Sequence, residues 1–252
     1  SGLTAENKEY DGTTAATLDL ASAVLVGVVD GDSVSLSLEG GTATFADKNV
    51  GVGKDVTVTG LSLSGTSAGN YVLATTAADL TADITAKSLS VSGLTADSKV
   101  YDGTTAATLS GTASLVGVLD GEDVTLAGTA VGAFADANAG TAKAVNVSGL
   151  SLSGADLGNY TLTQPTLTAD IAAKELTVTG ITAGSKVYDG TTAATLDLAS
   201  AVLVGVLDGE DVTLVTTGAT GAFADADVGT AKAVNVSGLS LSGAAIGNYT
   251  LT

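Results

Sequence analysis

Apolar and polar residues alternate along many short segments of this chain. In residues 232–238, Val234 and Val236 fall on one face of an extended chain. After Gly238 the alternation shifts by one position. An alternation of period two, with many Val and Thr residues and with glycines between segments, predicts β-strands. The shift at Gly238 predicts a bulge or a bend into a second strand.

Other segments extend this prediction. Residues 80–84 and 167–171 both have the sequence Leu-Thr-Ala-Asp-Ile, and we predict that each is the closing strand of a unit. The next alternating segment follows almost at once, so we expect a semi-rigid array without flexible linkers. Residues 198–209 fit either a buried strand or a short helix. For them we expect an extended stretch with at most one helical turn.

Two phrases recur with a fixed period. Tyr-Asp-Gly-Thr-Thr-Ala-Ala-Thr begins at residues 10, 101 and 188, and Gly-Asn-Tyr begins at 69, 158 and 247. The tyrosines of the second phrase are 89 residues apart in both intervals. A fixed period indicates tandem units, and this one is long enough for a small domain. We predict a mainly β protein of three tandem β-rich domains in an elongated array: residues 1–86 with the first strand truncated, residues 87–173, and residues 174–252 with the last strand truncated.

The composition excludes several classes of function. The chain has 27 acidic and 9 basic residues, a net charge of −18, and neither Cys nor His. A chain this acidic is repelled by nucleic acid and by anionic membranes. Without Cys or His it can form no disulfide, no ordinary zinc site and no Ser-His-Asp or Cys-His nucleophile. We also expect no membrane insertion, because no apolar run is long enough to span a bilayer.

Turn chemistry explains both phrases. The Asp of Tyr-Asp-Gly is predicted to accept a backbone N–H two residues on, with Gly at positive φ. The Tyr ring is predicted to pack on the core while its hydroxyl bonds a nearby backbone group, as in a tyrosine corner. A ligand site made by Tyr and Asp is the alternative. In Gly-Asn-Tyr, Gly and Asn are residues that tolerate a left-handed backbone. The structural positions are Tyr10, Asp11, Gly12, Tyr101, Asp102, Gly103, Tyr188, Asp189, Gly190, Asn70, Tyr71, Asn159, Tyr160, Asn248 and Tyr249.

The aromatic residues leave no spare stacking platform. Six Tyr and three Phe supply two Tyr and one Phe to each repeat. Sites for sugars and single-stranded nucleic acids usually need additional exposed aromatic side chains. A dedicated carbohydrate platform is therefore disfavoured.

Acidic loops are the strongest candidates for chemistry. Oxygen ligands in Gly-containing loops suit Ca²⁺, but no copy has the full spacing of a calcium loop, and we favour solvated turn carboxylates. Paired carboxylates could hydrolyse glycosides only across a substrate cleft, of which the sequence gives little sign, so we expect no catalytic residues. We predict no cofactor, with Ca²⁺ as the alternative. The candidate ligands are Asp120, Glu122, Asp123, Asp208, Glu210 and Asp211.

The repeated phrases resemble a known family. Lys-Val-Tyr-Asp-Gly-Thr-Thr-Ala at 99–106 and 186–193, with Val-Ser-Gly-Leu-Ser-Leu-Ser-Gly and Gly-Asn-Tyr-Thr-Leu further on, is similar to the YDG repeat of bacterial filamentous-haemagglutinin-like adhesins. It also resembles the related MBG repeats. The resemblance implies a modified β-grasp fold and export to the cell surface, often through a partner outer-membrane transporter. It supplies no catalytic residues. An Ig-like β-sandwich is the alternative fold.

Two functions follow as hypotheses. The first is an extracellular stalk or spacer that projects a distal binding region from a bacterial surface. Its partners would be neighbouring repeats, and we expect this chain, which does not begin with Met, to be a monomeric part of a longer protein. The alternative is a binding module whose repeats contact glycans or other copies of themselves and gain by avidity. An enzyme is the least favoured class.

Overall fold

The computed structural model describes residues 2–252, and this range consists of β-strands, turns and irregular segments. It contains no α-helix, and its only helical segments are the 3₁₀ turns Ala68–Asn70, Leu157–Asn159 and Ile246–Asn248. The prediction of a mainly β protein is confirmed. Residues 198–209, which were ambiguous in the sequence, contain the strand Val202–Val204 and no helix.

Eight strands lie in the described part of the first repeat. They are β1 (Thr4–Ala5), β2 (Lys8–Glu9), β3 (Leu18–Asp19), β4 (Ser35–Ser37), β5 (Thr42–Phe45), β6 (Gly51–Thr59), β7 (Ser62–Ser64) and β8 (Ala77–Thr85). The main sheet has the order β2-β8-β6-β5, with β2 parallel to β8 and the other pairs antiparallel. The smaller sheets are β1-β3 and β4-β7. Along β6 the fully buried Val56 and Val58 alternate with exposed residues, as a strand with one face on a core requires.

The second repeat also contributes eight strands. They are β9 (Lys87–Ala96), β10 (Lys99–Val100), β11 (Ala106–Ala107), β12 (Leu109–Val116), β13 (Thr125–Phe134), β14 (Gly140–Ser153), β15 (Tyr160–Thr163) and β16 (Thr166–Ala172). They form a five-stranded sheet of order β10-β16-β14-β13-β11 and a three-stranded sheet of order β12-β9-β15. One residue, Ala86, separates β8 from β9, which confirms the predicted short junction.

The third repeat is divided among shorter sheets. Its strands are β17 (Lys174–Thr179), β18 (Thr182–Ala183), β19 (Ala193–Ala194), β20 (Leu196–Asp197), β21 (Val202–Val204), β22 (Thr213–Val215), β23 (Thr220–Phe223), β24 (Val234–Ser237), β25 (Ser240–Ser242) and β26 (Tyr249–Leu251). The sheets are β21-β17-β26, β18-β20, β19-β23-β24 and β22-β25. Gly238 has a φ of 76° and separates β24 from β25, which belong to different sheets. The predicted bend into a second strand is therefore confirmed.

Contacts divide the chain into two compact units that do not follow the sequence repeats. Unit 1 comprises residues 1–93, 113–129 and 149–165, and unit 2 comprises residues 94–112, 130–148 and 166–252. Each unit thus takes residues from two consecutive repeats. The predicted segments 1–86, 87–173 and 174–252 describe the sequence period and stay a prediction.

The core of unit 1 joins side chains from the first and second repeats. Val56, Val58 and Ile84 come from the first repeat, and Leu89 and Tyr160 come from the second. All five are at most 6% exposed. Fully burying an aliphatic side chain contributes about 1.5–3 kcal/mol, so this core stabilises the association of the two repeats.

The core of unit 2 is built in the same way from the second and third repeats. Val145 and Ile171 come from the second repeat, whereas Leu176 and Tyr249 come from the third. Ile171 corresponds to Ile84 in unit 1, and both are 1% exposed. The same positions of the repeat therefore fill both cores.

Candidate functional site

The Tyr-Asp-Gly phrase of the first repeat forms the predicted turn. The carboxylate of Asp11 accepts the backbone N–H of Thr13 at 2.8 Å, and Gly12 has a φ of 77°. The Lys8 ammonium donates to Asp11 Oδ1 and to the Thr13 carbonyl, both at 2.8 Å. The lysine therefore links the aspartate to the residues that follow the glycine.

The other two copies repeat this turn. Thr104 N–H donates to Asp102 at 2.8 Å, and Lys99 Nζ lies 2.7 Å from the same carboxylate. The hydrogen bonds from Lys99 and from the Thr104 backbone lower the pKa of Asp102 to about 2. The hydrogen bond from Lys186 does the same for Asp189, whose pKa is also about 2. The turn is thus held by charge-assisted hydrogen bonds in every copy.

The lysines of this turn were not singled out in the sequence. Each also places its ammonium over the phenylalanine of its own repeat. Lys8 Nζ lies 5.5 Å from the ring centroid of Phe45, and Lys99 Nζ lies 5.6 Å from that of Phe134. These distances are those of a cation–π contact. The signal that could have revealed them is the recurrence of a lysine two residues before each Tyr-Asp-Gly.

The tyrosine of the first phrase is bound by the next repeat. The Tyr10 ring is 1% exposed, and its hydroxyl donates to the carboxylate of Glu122. The Tyr160 hydroxyl donates to the same carboxylate at 3.1 Å, and the rings of Tyr10 and Tyr160 meet edge to face at 5.4 Å. The predicted packing on the core is found for Tyr10 and Tyr101 and is wrong for Tyr188, which is 62% exposed. The predicted tyrosine corner is wrong for Tyr10, because its hydroxyl binds a carboxylate rather than a backbone group.

Glu122 is the centre of this cluster. Its side chain is 6% exposed, and Lys48 Nζ lies 2.6 Å from it. Burial by itself would raise the pKa of Glu122, but the hydrogen bonds from Lys48, Tyr10 and Tyr160 outweigh burial and lower it. Burial and the carboxylate raise the pKa of Tyr10, so that its hydroxyl stays a donor. A buried carboxylate with three donors satisfies the rule that buried charges are paired.

Unit 2 contains the same cluster without the lysine. The hydroxyls of Tyr101 and Tyr249 both donate to Glu210, the latter at 2.7 Å, and their rings meet edge to face at 5.5 Å. The hydrogen bond to Glu210 raises the pKa of Tyr101 to about 12. Ala137 stands where the first repeat has Lys48. The arrangement of two tyrosines and one glutamate therefore recurs from one repeat pair to the next.

The asparagine of the second phrase makes a further contact between consecutive repeats. Asn159 Oδ1 accepts the backbone N–H of Val50 at 3.0 Å, and its Nδ2 donates to Asn49 Oδ1 at 3.3 Å. Asn248 makes the equivalent bonds to Ala139 and Asn138, at 2.8 and 3.3 Å. Both asparagines are buried.

The expectation of a left-handed backbone in Gly-Asn-Tyr is wrong. Among the described residues the non-glycine residues with positive φ are Ala142 and Ala231, and the glycines of this phrase do not have positive φ either. Each Gly-Asn pair instead lies in a 3₁₀ turn. In the second and third repeats the turn presents the asparagine side chain to the preceding repeat.

The outer copies of the two phrases lack the partners from a neighbouring repeat among residues 2–252. Tyr71 keeps the contact within its own repeat, because its hydroxyl donates to Asp32, which has the position of Glu122, at 2.6 Å, whereas Asn70 is exposed. Tyr188 of the third repeat is 62% exposed. The buried and exposed copies thus differ in their environment and not in their local sequence.

The structure separates the acidic side chains that were candidate calcium ligands. Glu122 faces the tyrosines, Asp123 accepts the N–H of Ala155 at 3.0 Å, and Asp120 is exposed. Within residues 2–252, no group of three or more acidic side chains is placed to hold a metal ion. In the third repeat Glu210, Asp211 and Asp208 have the corresponding positions. The effect of Ca²⁺ stays a prediction.

The strands, turns and contacts between repeats define a tandem-repeat β protein. A family model described as YDG domain matches residues 1–78, 85–168 and 172–252, and the chain belongs to the YDG domain family. Comparison with curated proteins and with solved structures gives no match. No helix within residues 2–252 has the length and apolar character required to cross a bilayer.

Proposed function

We propose that this chain is a structural stalk or spacer, without catalytic activity, in a large bacterial surface adhesin. The observation that supports the proposal is the repetition of one set of contacts between consecutive repeats. Tyr10 binds Glu122 of the following repeat, and Tyr101 binds Glu210 of the one after that. In a stalk, each added repeat needs to be held by the previous one.

The contacts are suited to this role because they combine burial with hydrogen bonding. Two tyrosine rings, a carboxylate and an asparagine from two repeats lie inside one compact unit. Removing one partner would leave a buried polar group without a hydrogen bond, which costs about 1–3 kcal/mol. Since each repeat supplies partners for the Tyr-Asp-Gly tyrosine of the repeat before it, the same set can be continued over any number of repeats.

The wider context of the proposal comes from the resemblance to adhesin repeats. In this proposal the protein lies outside the cell, at or near the bacterial outer membrane, where the stalk would carry a binding region away from the surface. The high negative charge, −18 over 252 residues, would keep such an array soluble. A relation to the MBG repeats belongs to the same proposal.

The finer type of fold is part of the proposal as well. The strand pairs β2-β8, β10-β16, β9-β15 and β17-β26 are parallel. An Ig-like sandwich is made of antiparallel sheets, so the parallel pairs favour the modified β-grasp.

Small-angle scattering from dilute protein tests the stalk. We expect a largest dimension on the order of 100 Å for three domains in line. A compact domain of this length would have a radius of gyration of about 18 Å. A measured value near that of the compact domain would overturn the proposal.

A binding module is the second candidate function. The observation that favours it is the exposure of the third Tyr-Asp-Gly turn, where the Tyr188 side chain is 62% exposed. Glycan arrays and sedimentation over a range of concentrations test it. No glycan binding on the arrays together with a monomer at all concentrations would rule it out. Binding of a glycan, or association of the chain with itself in sedimentation, would support it.

A further inference from the structure

Four asparagines of this chain stand in the sequence Asn-x-Ser or Asn-x-Thr. They are Asn146 and Asn235, each in Asn-Val-Ser, and Asn159 and Asn248, each in Asn-Tyr-Thr. Asn-x-Ser/Thr, where x is not Pro, is the acceptor sequence for N-linked sugars. Because Ser and Thr are frequent in this chain, the surroundings of each asparagine, and not the motif alone, decide whether it can carry a sugar.

The two Asn-Tyr-Thr sequences are closed to a sugar in the folded chain. Asn159 is 6% exposed and Asn248 is 8% exposed. Asn159 Oδ1 accepts the backbone N–H of Val50, and its Nδ2 donates to Asn49 Oδ1. A sugar on this nitrogen would need the space that the preceding repeat fills. A chain modified there could not form the contact between the repeats.

The two Asn-Val-Ser sequences are open to solvent. Asn146 lies in β14 between Val145 and Val147, which are 0% and 4% exposed, and its own side chain is on the opposite, exposed face. Ser148 is exposed on the same face as Asn146. Both functional groups of the motif therefore lie away from the core. In the third repeat the Asn and Ser of this sequence are exposed in the same way, in the strand β24.

The strand itself does not account for an asparagine at this position. Asn is depleted in β-strands, and within residues 2–252 the side chains of Asn146 and Asn235 have no hydrogen-bond partner. Thr57, a residue type that strands favour, has the equivalent position in the first repeat. The second and third repeats thus place on the outer face of a sheet a residue that neither packing nor hydrogen bonding requires.

We propose that Asn146 and Asn235 are acceptor sites for an N-linked sugar, which a transferase supplies from a phosphate-activated sugar donor. The asparagine amide nitrogen forms a bond to the anomeric carbon, and the bond from that carbon to the phosphate oxygen breaks. The phosphate leaves with the bonding electrons, and the amide nitrogen gives one proton to the transferase. The proposal does not rest on the stalk function, because a binding module would present the same strands.

Mass spectrometry with electron-transfer dissociation tests the proposal on folded protein isolated from the cells that naturally produce it. Trypsin cuts after lysine, and the peptide of residues 144–174 contains both Asn146 and Asn159. We expect a sugar on Asn146 and none on Asn159 of the same peptide. The corresponding pair of the third repeat lies in the tryptic peptide that starts at residue 233. An unmodified Asn146, or a sugar on Asn159 in the folded protein, would overturn the proposal.

Two variants made in the same cells test whether the motif and its place on the strand direct the transfer. Ser148→Ala keeps the asparagine but removes the hydroxyl of the motif, so we expect complete loss of the sugar from Asn146 and none from Asn235. Thr57→Asn completes the sequence Asn-Val-Thr at residues 57–59, on the exposed face of β6, and should add a sugar there.

Thr57→Gln is the matched control, because it introduces an amide without the acceptor sequence and should stay unmodified. Circular dichroism shows whether each variant is folded, and the wild-type peptide tests the proposal even if a variant unfolds. A sugar that persists on Asn146 after Ser148→Ala, or a folded Thr57→Asn variant without a sugar at position 57, would overturn the assignment.

Discussion

The hydroxyl of Tyr10 donates a hydrogen bond to the carboxylate of Glu122, which lies 112 residues further along the chain. The two residues belong to consecutive repeats but to one compact unit. The first phrase of one repeat is therefore completed by the acidic loop of the next. This relationship makes the repeated tyrosine a probe of how the repeats hold together.

Replacing Tyr101 with Phe should destabilise unit 2. The change keeps the ring in its edge-to-face contact but removes one of the donors to Glu210. Hydrogen bonds to charged groups contribute about 1.5–3 kcal/mol, so we expect a loss of this size in the free energy of unfolding, measured in urea. Tyr188→Phe is the matched control, because the Tyr188 hydroxyl has no hydrogen-bond partner among residues 2–252. Equal effects of the two changes would contradict the prediction.

Replacing Asn159 with Ala should leave the Val50 N–H without its acceptor. The expected cost is about 1–3 kcal/mol, because that N–H loses its bond inside a partly buried contact. Asn70 has the same position in the first repeat and is exposed, so Asn70→Ala should change stability by no more than about 0.5 kcal/mol. Chemical unfolding of the two variants beside the wild type makes the comparison. A similar loss in both would mean that the asparagine acts only through its own turn.

The local features of this structure could be predicted from the sequence because short-range chemistry determines them. An Asp followed by Gly specifies the turn at residues 11–13, and the alternation around Val234 and Val236 specifies a strand. These depend on neighbours within a few residues.

The contacts between repeats could not be predicted in the same way. A fixed period shows which positions are equivalent, but not which copy supplies the partner of Tyr10. Glu122 was grouped with Asp120 and Asp123 because acidic residues in a loop suggest a metal site, whereas its burial against two tyrosines is a tertiary feature. The lysine that pairs with it is absent from the other repeats, so the repeat pattern gives no signal for Lys48.

Acid should weaken the turn around Asp102. Its folded pKa is about 2, below the ordinary value of 3.8, because of the hydrogen bonds from Lys99 and the Thr104 backbone. A depressed pKa contributes stability above the unfolded value, and this contribution is lost as the pH falls from about 4 to about 2. Asp102→Asn should therefore be less stable than the wild type at pH 7, with a difference that shrinks toward pH 2. Urea unfolding at several pH values measures it. Asp120→Asn is the control, and a difference for Asp102→Asn that is independent of pH would contradict the assignment.

Addition of Ca²⁺ should leave the melting temperature unchanged. The Glu122 and Glu210 carboxylates are occupied by tyrosine hydroxyls, and the aspartates beside them are exposed or accept backbone N–H groups. A cation that bound only the folded state would stabilise it, by an amount that rises with the ratio of the cation concentration to its dissociation constant. The melting temperature is measured by thermal unfolding with millimolar Ca²⁺, and with Mg²⁺ at the same ionic strength as a control. A rise with Ca²⁺ alone would show a site that these contacts do not account for.

A lysine at position 137 should transfer to unit 2 the ion pair that stabilises unit 1. Lys48 Nζ lies 2.6 Å from Glu122, and Ala137 has the equivalent position beside Glu210. We expect Ala137→Lys to raise the melting temperature by roughly 1–3 °C, because a partly exposed ion pair contributes modestly. The gain should shrink in 1 M salt, which screens exposed charges.

Position 226 provides the matched control for this experiment. It is the third equivalent of position 48, and among residues 2–252 no glutamate binds the nearby Tyr188. Ala226→Lys should therefore bring no comparable gain, although it adds the same charge to an acidic chain. Equal stabilisation by both lysines would assign the effect to the reduced net charge. Stabilisation by Ala137→Lys alone would show that a lysine at position 137 pairs with Glu210 as Lys48 pairs with Glu122. The contact between the second and third repeats could then be strengthened separately from the contact between the first and second.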